Sequence, residues 1–121
     1  AGFVSLVLAA CGEYTLFYDG HLNSHDQDIF REAAAIEDVE VIDWPAPYVW
    51  IVMYGAPTHD NGITIPGVIF LRREPRVSGI CPRDQVFLST ARHEIGHTKG
   101  LQDRHGTDSV MNDPTPCWPV D

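Results

Sequence analysis

Residues 93–103 read His-Glu-Ile-Gly-His-Thr-Lys-Gly-Leu-Gln-Asp, and Met111 follows Asp103 by eight positions. On a helix, His93 and His97 stand one turn apart on one face, the spacing at which two imidazoles grip a single tetrahedral Zn²⁺. No other feature constrains the chain as strongly. The segment has to be helical, and a turn has to follow that brings a third ligand back to the metal. Gly100 supplies the turn, because a residue without Cβ enters the left-handed region and ends a helix there. Glu94 is too close in sequence to be a further ligand on that helix, but it is placed to take a proton from a zinc-bound water. Asp103, three residues past Gly100, is the expected third ligand, since carboxylate oxygen is an ordinary zinc donor. His105, two residues further on, is the alternative.

Taken together, His93, Glu94, His97, Gly100, Asp103 and Ser109-Val110-Met111 resemble the metzincin clan of zinc peptidases, whose pattern is H-E-x-x-H-x-x-G-x-x-H/D followed by a Met-turn. Asp in place of the usual third His is the snapalysin-like variant. The resemblance implies an α/β (α+β) fold: a small twisted mixed sheet with an antiparallel edge strand, a backing helix and an active-site helix. It implies one catalytic Zn²⁺ and a zinc-dependent endopeptidase that acts on a peptide or protein substrate, with Met111 as an apolar floor beneath the ligands. The gluzincin arrangement takes its third ligand from a later Glu, and no Glu follows Glu94. Two rival readings stand beside this one. The first is a non-catalytic zinc-binding surface lipoprotein, with His105 as the fourth ligand that closes a structural site. The second is a zinc hydrolase acting on a non-peptide amide.

The first eleven residues are uncharged and mostly apolar, and Leu8-Ala9-Ala10-Cys11 resembles the lipobox at which bacterial lipoproteins are cleaved and acylated. The run is too short to span a bilayer. It reads as the tail of a secretory signal, residues 1–11; the alternative is a buried first strand over Phe3 to Ala10. The signal reading makes the protein extracytoplasmic, either secreted or a bacterial cell-surface lipoprotein, attached to a membrane only through an N-terminal lipid on Cys11. Three cysteines is an odd number. If Cys11 is lipidated, Cys81 and Cys117 remain as a disulfide pair around the metal segment; the alternative is three free thiols.

Residues 12–121 read as a single domain, with an upper part over 12–100 and a short lower part over 101–121. A formal net charge of −9 excludes a nucleic-acid surface, which needs clustered Lys and Arg. A monomer is expected. Alternation over Glu13 to Tyr18 suggests a strand. Ser24 as N-cap with Gln27 at the capping-box position suggests a helix to about Glu37. Val39 to Trp44 and Tyr48 to Tyr54 follow as strands, the second apolar enough to be covered on both faces. Asn61 to Leu71 reads as two short strands around a Pro-Gly turn. The metal helix is expected to start at an Asp84 N-cap and to bury Val86, Phe87, Leu88, Ala91 and Ile95.

In the family resembled, the edge strand pairs with extended substrate, which makes Gly62, Ile63, Thr64 and Ile65 candidate substrate contacts; a plain hairpin is the competing reading. The stretch from Asn112 to Trp118 is the expected wall of the pocket for the substrate side chain, with Pro114 and Trp118 as candidate contacts. His21, His25 and His59 lie in turn-like contexts near Asp19, Asp26 and Asp60. They are read as surface histidines, with a second metal as the alternative.

Overall fold

The structure is a computed structural model and describes residues 15–56, 59–77 and 79–121. The expectations for residues 1–11, including lipidation of Cys11, lie outside the described residues. Seven elements follow in order: β1 (Leu16–Tyr18), α1 (Ser24–Ile36), β2 (Glu40–Ile42), β3 (Trp50–Tyr54), β4 (Gly62–Ile65), β5 (Val68–Leu71) and α2 (Arg83–Thr98). The strands form one mixed sheet in the order β2-β1-β3-β5-β4. All neighbours are parallel except β4, which runs antiparallel to β5 at one end of the sheet. This is the mixed α+β architecture expected, with β4 as the antiparallel edge strand.

Side-chain alternation decides which face of the sheet is covered. Phe17, Val52, Ile69 and Leu71 are fully buried and form one core with Ile29, Phe30, Ala33 and Ala34 of α1 and Phe87, Ala91 and Ile95 of α2. Both helices therefore pack on the same face. Ile51, Met53, Val68 and Phe70, which alternate with the core residues, are only half-buried. β3 is central in the sheet, as its apolar run suggested; both described helices pack on one of its faces, and on the other face the described residues leave its side chains half-buried. β3 also starts at Trp50 rather than Tyr48. Tyr48 has φ +65 and a fully exposed side chain, a conformation incompatible with an extended strand.

The helix starts differ from expectation as well. The cap of α1 is Asn23, whose Oδ1 accepts the Asp26 amide at 2.8 Å, while the Gln27 side chain donates back to Leu22 O. α2 begins after Pro82, and no side chain caps it. Asp84 lies inside the first turn instead, bonded to His25 at 2.8 Å and Arg83 at 3.1 Å. Its carboxylate is engaged by these two side chains rather than by the helix amides. At β4–β5 the expected turn is present: Gly67, at φ +84, takes the position where a residue without Cβ is favoured after Pro66.

One buried charge joins three elements. Asp26, 1% exposed, accepts both guanidinium nitrogens of Arg83 (2.6 and 3.0 Å) and the Tyr54 hydroxyl (2.6 Å). It thereby ties α1 to the start of α2 and the end of β3. Burial raises the Asp26 carboxyl, but the hydrogen bonds from Arg83 and Tyr54 and the charge of Arg83 outweigh it and hold the group below its ordinary value. Cys81 and Cys117 are disulfide-bonded across a sequence separation of 36, which fastens the C-terminal segment to the start of α2. A loop of that size restricts the unfolded chain by about 4 kcal/mol in the loop-entropy account.

Removing one partner of a buried pair leaves the other uncompensated, so Asp26→Asn should lower the unfolding free energy by about 3 to 5 kcal/mol at neutral pH. The folded-state pKa lies below the unfolded one. The stabilisation is therefore complete above the unfolded value of about 3.9 and fades as pH falls through the folded value. Urea unfolding of both proteins between pH 7 and pH 2 should show the difference constant above pH 5 and narrowing below pH 4.

Candidate metal centre

α2 ends at a glycine for a local reason. Gly100 has φ +86, its amide bonds to His97 O at 3.0 Å, and the Leu101 amide bonds to Gly96 O at 3.1 Å. These paired bonds form a Schellman turn, which reverses the chain and satisfies two carbonyls left open by the helix end. The turn has a second effect: Leu101 O faces back toward the helix and accepts from His97 Nδ1 at 2.8 Å. The other histidine is held in the same way from further along the chain, with His93 Nδ1 2.8 Å from Val110 O.

These two bonds set the chemistry of the imidazoles. A carbonyl oxygen only accepts, so each Nδ1 carries a hydrogen, and a ring in its neutral form then has its lone pair at Nε2. The two Nε2 atoms lie 3.1 Å apart, and each is 2.9 Å from Asp103 Oδ1. With both rings in the neutral form, three lone pairs converge here, an arrangement that a shared cation stabilises. His93, His97 and Asp103 are the one group of three or more potential ligands among the described residues, so the site can hold a metal ion. His105, the alternative ligand, turns elsewhere, with Nδ1 3.3 Å from Asp113 O.

Val110 is placed by its own neighbours. Asp121 Oδ1 accepts the Val110 amide at 2.7 Å, and Arg92, next to His93, donates to Asp121 O and to Glu37 Oε2. Arg104 and Asn112 pair as an isolated bridge that draws the loop closed. Met111, 4% exposed, packs directly beneath the helix. A Cβ on Gly96 would come within 2.3 Å of Met111 Sδ, so the helix carries glycine where the methionine presses against it. Gly96 stands at one of the unspecified positions of the H-E-x-x-H pattern, so the pattern does not point to it. A glycine in a helix interior, at about 1 kcal/mol below alanine, was the available signal.

These three side chains open into a cleft of about 860 Å³ that is also lined by Glu94, Gly62 to Ile65 of β4, and Pro114. Trp118 is exposed and lies outside that lining. Glu94 is 5% exposed, and burial pushes its carboxyl up against the opposing pull of a hydrogen bond from Thr64. That bond joins residues 30 positions apart and had no sequence signal. Of the other histidines, His59 lines the cleft, His25 pairs with Asp84, and His21 packs edge-on to Tyr18. Among the described residues they form no second metal group.

No protein-family model matches the chain, and no curated protein matches it.

Two outcomes test this geometry. Asp103→Ala should lose bound metal in equilibrium dialysis with elemental analysis, whereas His105→Ala should keep it. Gly96→Ala should lower stability by about 1 to 2 kcal/mol despite alanine's higher helix propensity, because Met111 has to give way. Chemical denaturation decides the sign, and a stabilised variant would show that the methionine contact is loose.

Proposed function

We propose that the chain is a zinc-dependent endopeptidase of metzincin type. The observation that carries this reading is the convergence of three lone-pair donors beside a buried carboxylate in an open cleft. The donor chemistry fits zinc: a tetrahedral ion with bonds of about 2.0 to 2.1 Å holds its ligand atoms roughly 3.3 Å apart, close to the spacing of the three donors. Two imidazoles with Nδ1 fixed on carbonyls and one carboxylate form an N₂O set suited to that ion. Among the described residues no fourth His, Cys, Asp or Glu joins the group, which favours an open catalytic site over a closed structural one.

His93, His97 and Asp103 would hold the ion. Bound there, zinc would lower the pKa of a water and polarise the substrate carbonyl. Glu94 takes a proton from the attacking water and returns it to the departing amine nitrogen as the peptide C–N bond breaks. Its burial supports this role, because burial raises the carboxyl above its ordinary value, the direction that makes it a better proton acceptor. β4 supports a peptide substrate: it is the last strand of the sheet, no other strand among the described residues pairs with its outer edge, and an extended backbone can hydrogen-bond there without particular side chains. Pro114 is proposed as part of the opposite wall.

The disulfide and the signal-like N-terminal sequence support a location outside the cytoplasm. No described helix is long and apolar enough to cross a membrane. Attachment through a lipid on Cys11 is part of the proposal, on the strength of the lipobox-like Leu8-Ala9-Ala10-Cys11.

Glu94→Gln keeps the shape of the side chain but removes the proton acceptor. Cleavage of a peptide library should fall by at least about 10²-fold while the protein retains one zinc per chain. Full cleavage by this variant would overturn the assignment of Glu94, and a wild-type protein that binds zinc but cleaves no peptide would favour the structural or non-peptide alternatives.

A further inference from the structure

We propose that Thr64 is the positioning residue for Glu94: its hydroxyl takes one carboxylate oxygen and leaves the other to receive the proton. This rests on the peptidase reading above. On β4, Gly62 pairs with Leu71 and Thr64 with Ile69. Leu71 and Ile69 are fully buried toward the helices, so Gly62 and Thr64 share the strand face that meets α2. Thr64 Oγ1 lies 2.7 Å from Glu94 Oε1 and 3.1 Å from Glu94 O. A hydroxyl has a single hydrogen, and the nearer, charged oxygen takes the larger share of it. β-Branching restricts χ1 of threonine, so the hydroxyl is aimed before substrate arrives.

Gly62 makes the approach possible. A Cβ there would sit 2.9 Å from Glu94 Cγ and from Thr90 Cγ2, and 3.2 Å from Glu94 Oε2. The missing side chain lets β4 lie close enough to α2 for Thr64 to reach. It also leaves Oε2 facing the space that a side chain at position 62 would fill. Glu94 has three rotatable bonds, and without this contact its carboxylate would have to be held by burial alone. In the proposed step, the O–H bond of water breaks as a new O–H bond forms at Oε2, while Oε1 stays bonded to Thr64. The proton then leaves Oε2 for the amine nitrogen.

The test compares Thr64→Val, which keeps the branched shape without the hydroxyl, with Thr64→Ser, which keeps the hydroxyl. Measurements on each are zinc content, thermal midpoint, kcat and KM on a peptide found to be cleaved by the wild type, and a crystal structure of the zinc-free protein. Thr64→Val should lower kcat by about 10- to 100-fold with KM within about twofold, and zinc content and thermal midpoint should be unchanged. The Glu94 carboxylate should leave its wild-type position or split between two. Thr64→Ser should restore both kcat and that position. A purely structural role for Thr64 would instead lower zinc content or the thermal midpoint, and serine would not repair kcat selectively; that result overturns the proposal. So does a Thr64→Val protein with unchanged kcat or with Glu94 in its original place. If Glu94 moves as expected but the wild type cleaves no peptide, the positioning role stands and the peptidase reading fails.

Discussion

The rest of the site depends on two carbonyl oxygens, Leu101 O and Val110 O. By accepting from the Nδ1 atoms of His97 and His93, they force both Nε2 lone pairs onto the same point as Asp103 Oδ1. Neither carbonyl belongs to α2. One comes from the turn at its end and the other from the Met111 loop, so the site exists only if the chain beyond the helix folds back beneath it. Gly100 begins that return and Gly96 makes room for it, the first through its backbone conformation and the second through an absent side chain.

The forces that hold this return differ in kind. Met111 presses apolar surface against the helix underside. Asp121 fixes the Val110 amide, and Arg92 locks Asp121 and Glu37 together beside the ligand helix. The Cys81–Cys117 bond adds a covalent tie at the opposite end of α2. The segment is thereby kept in place by contacts to α2 and by bonds within itself. On the sheet side, Asp26 and Arg83 seat the start of the same helix against α1 and β3. β4 then reaches Glu94 from the edge of the sheet. Both ends of α2 and one of its faces are therefore fixed independently, as a site that needs donor atoms aligned to a fraction of an ångström requires.

Much of this was legible in the chain because it rests on local geometry. The two histidines meet through helix periodicity, Gly100 ends the helix through left-handed backbone, and Pro66-Gly67 sets the β4–β5 turn; each needs only neighbouring residues. Helix starts were less legible. Asn23 and Ser24 are equally good caps by local preference, and Asp84 satisfies the rules for a cap although its carboxylate is held by His25 and Arg83. The apolar run from Tyr48 overstated β3, since hydrophobicity does not register that Tyr48 adopts a positive φ.

The sequence by itself determined the donor types, their spacing on α2, the cysteines available for pairing, and the order of strands and helices, because those follow from residue identity and short-range backbone preference. Only the tertiary structure decided that Asp103 rather than His105 faces the two imidazoles, that Leu101 and Val110 orient them, that Met111 lies against Gly96, and that Thr64 reaches Glu94. Each of these joins groups whose partners are chosen by how the sheet, the helix and the returning loop pack. The chain carries several side chains able to make each bond, and packing selects one.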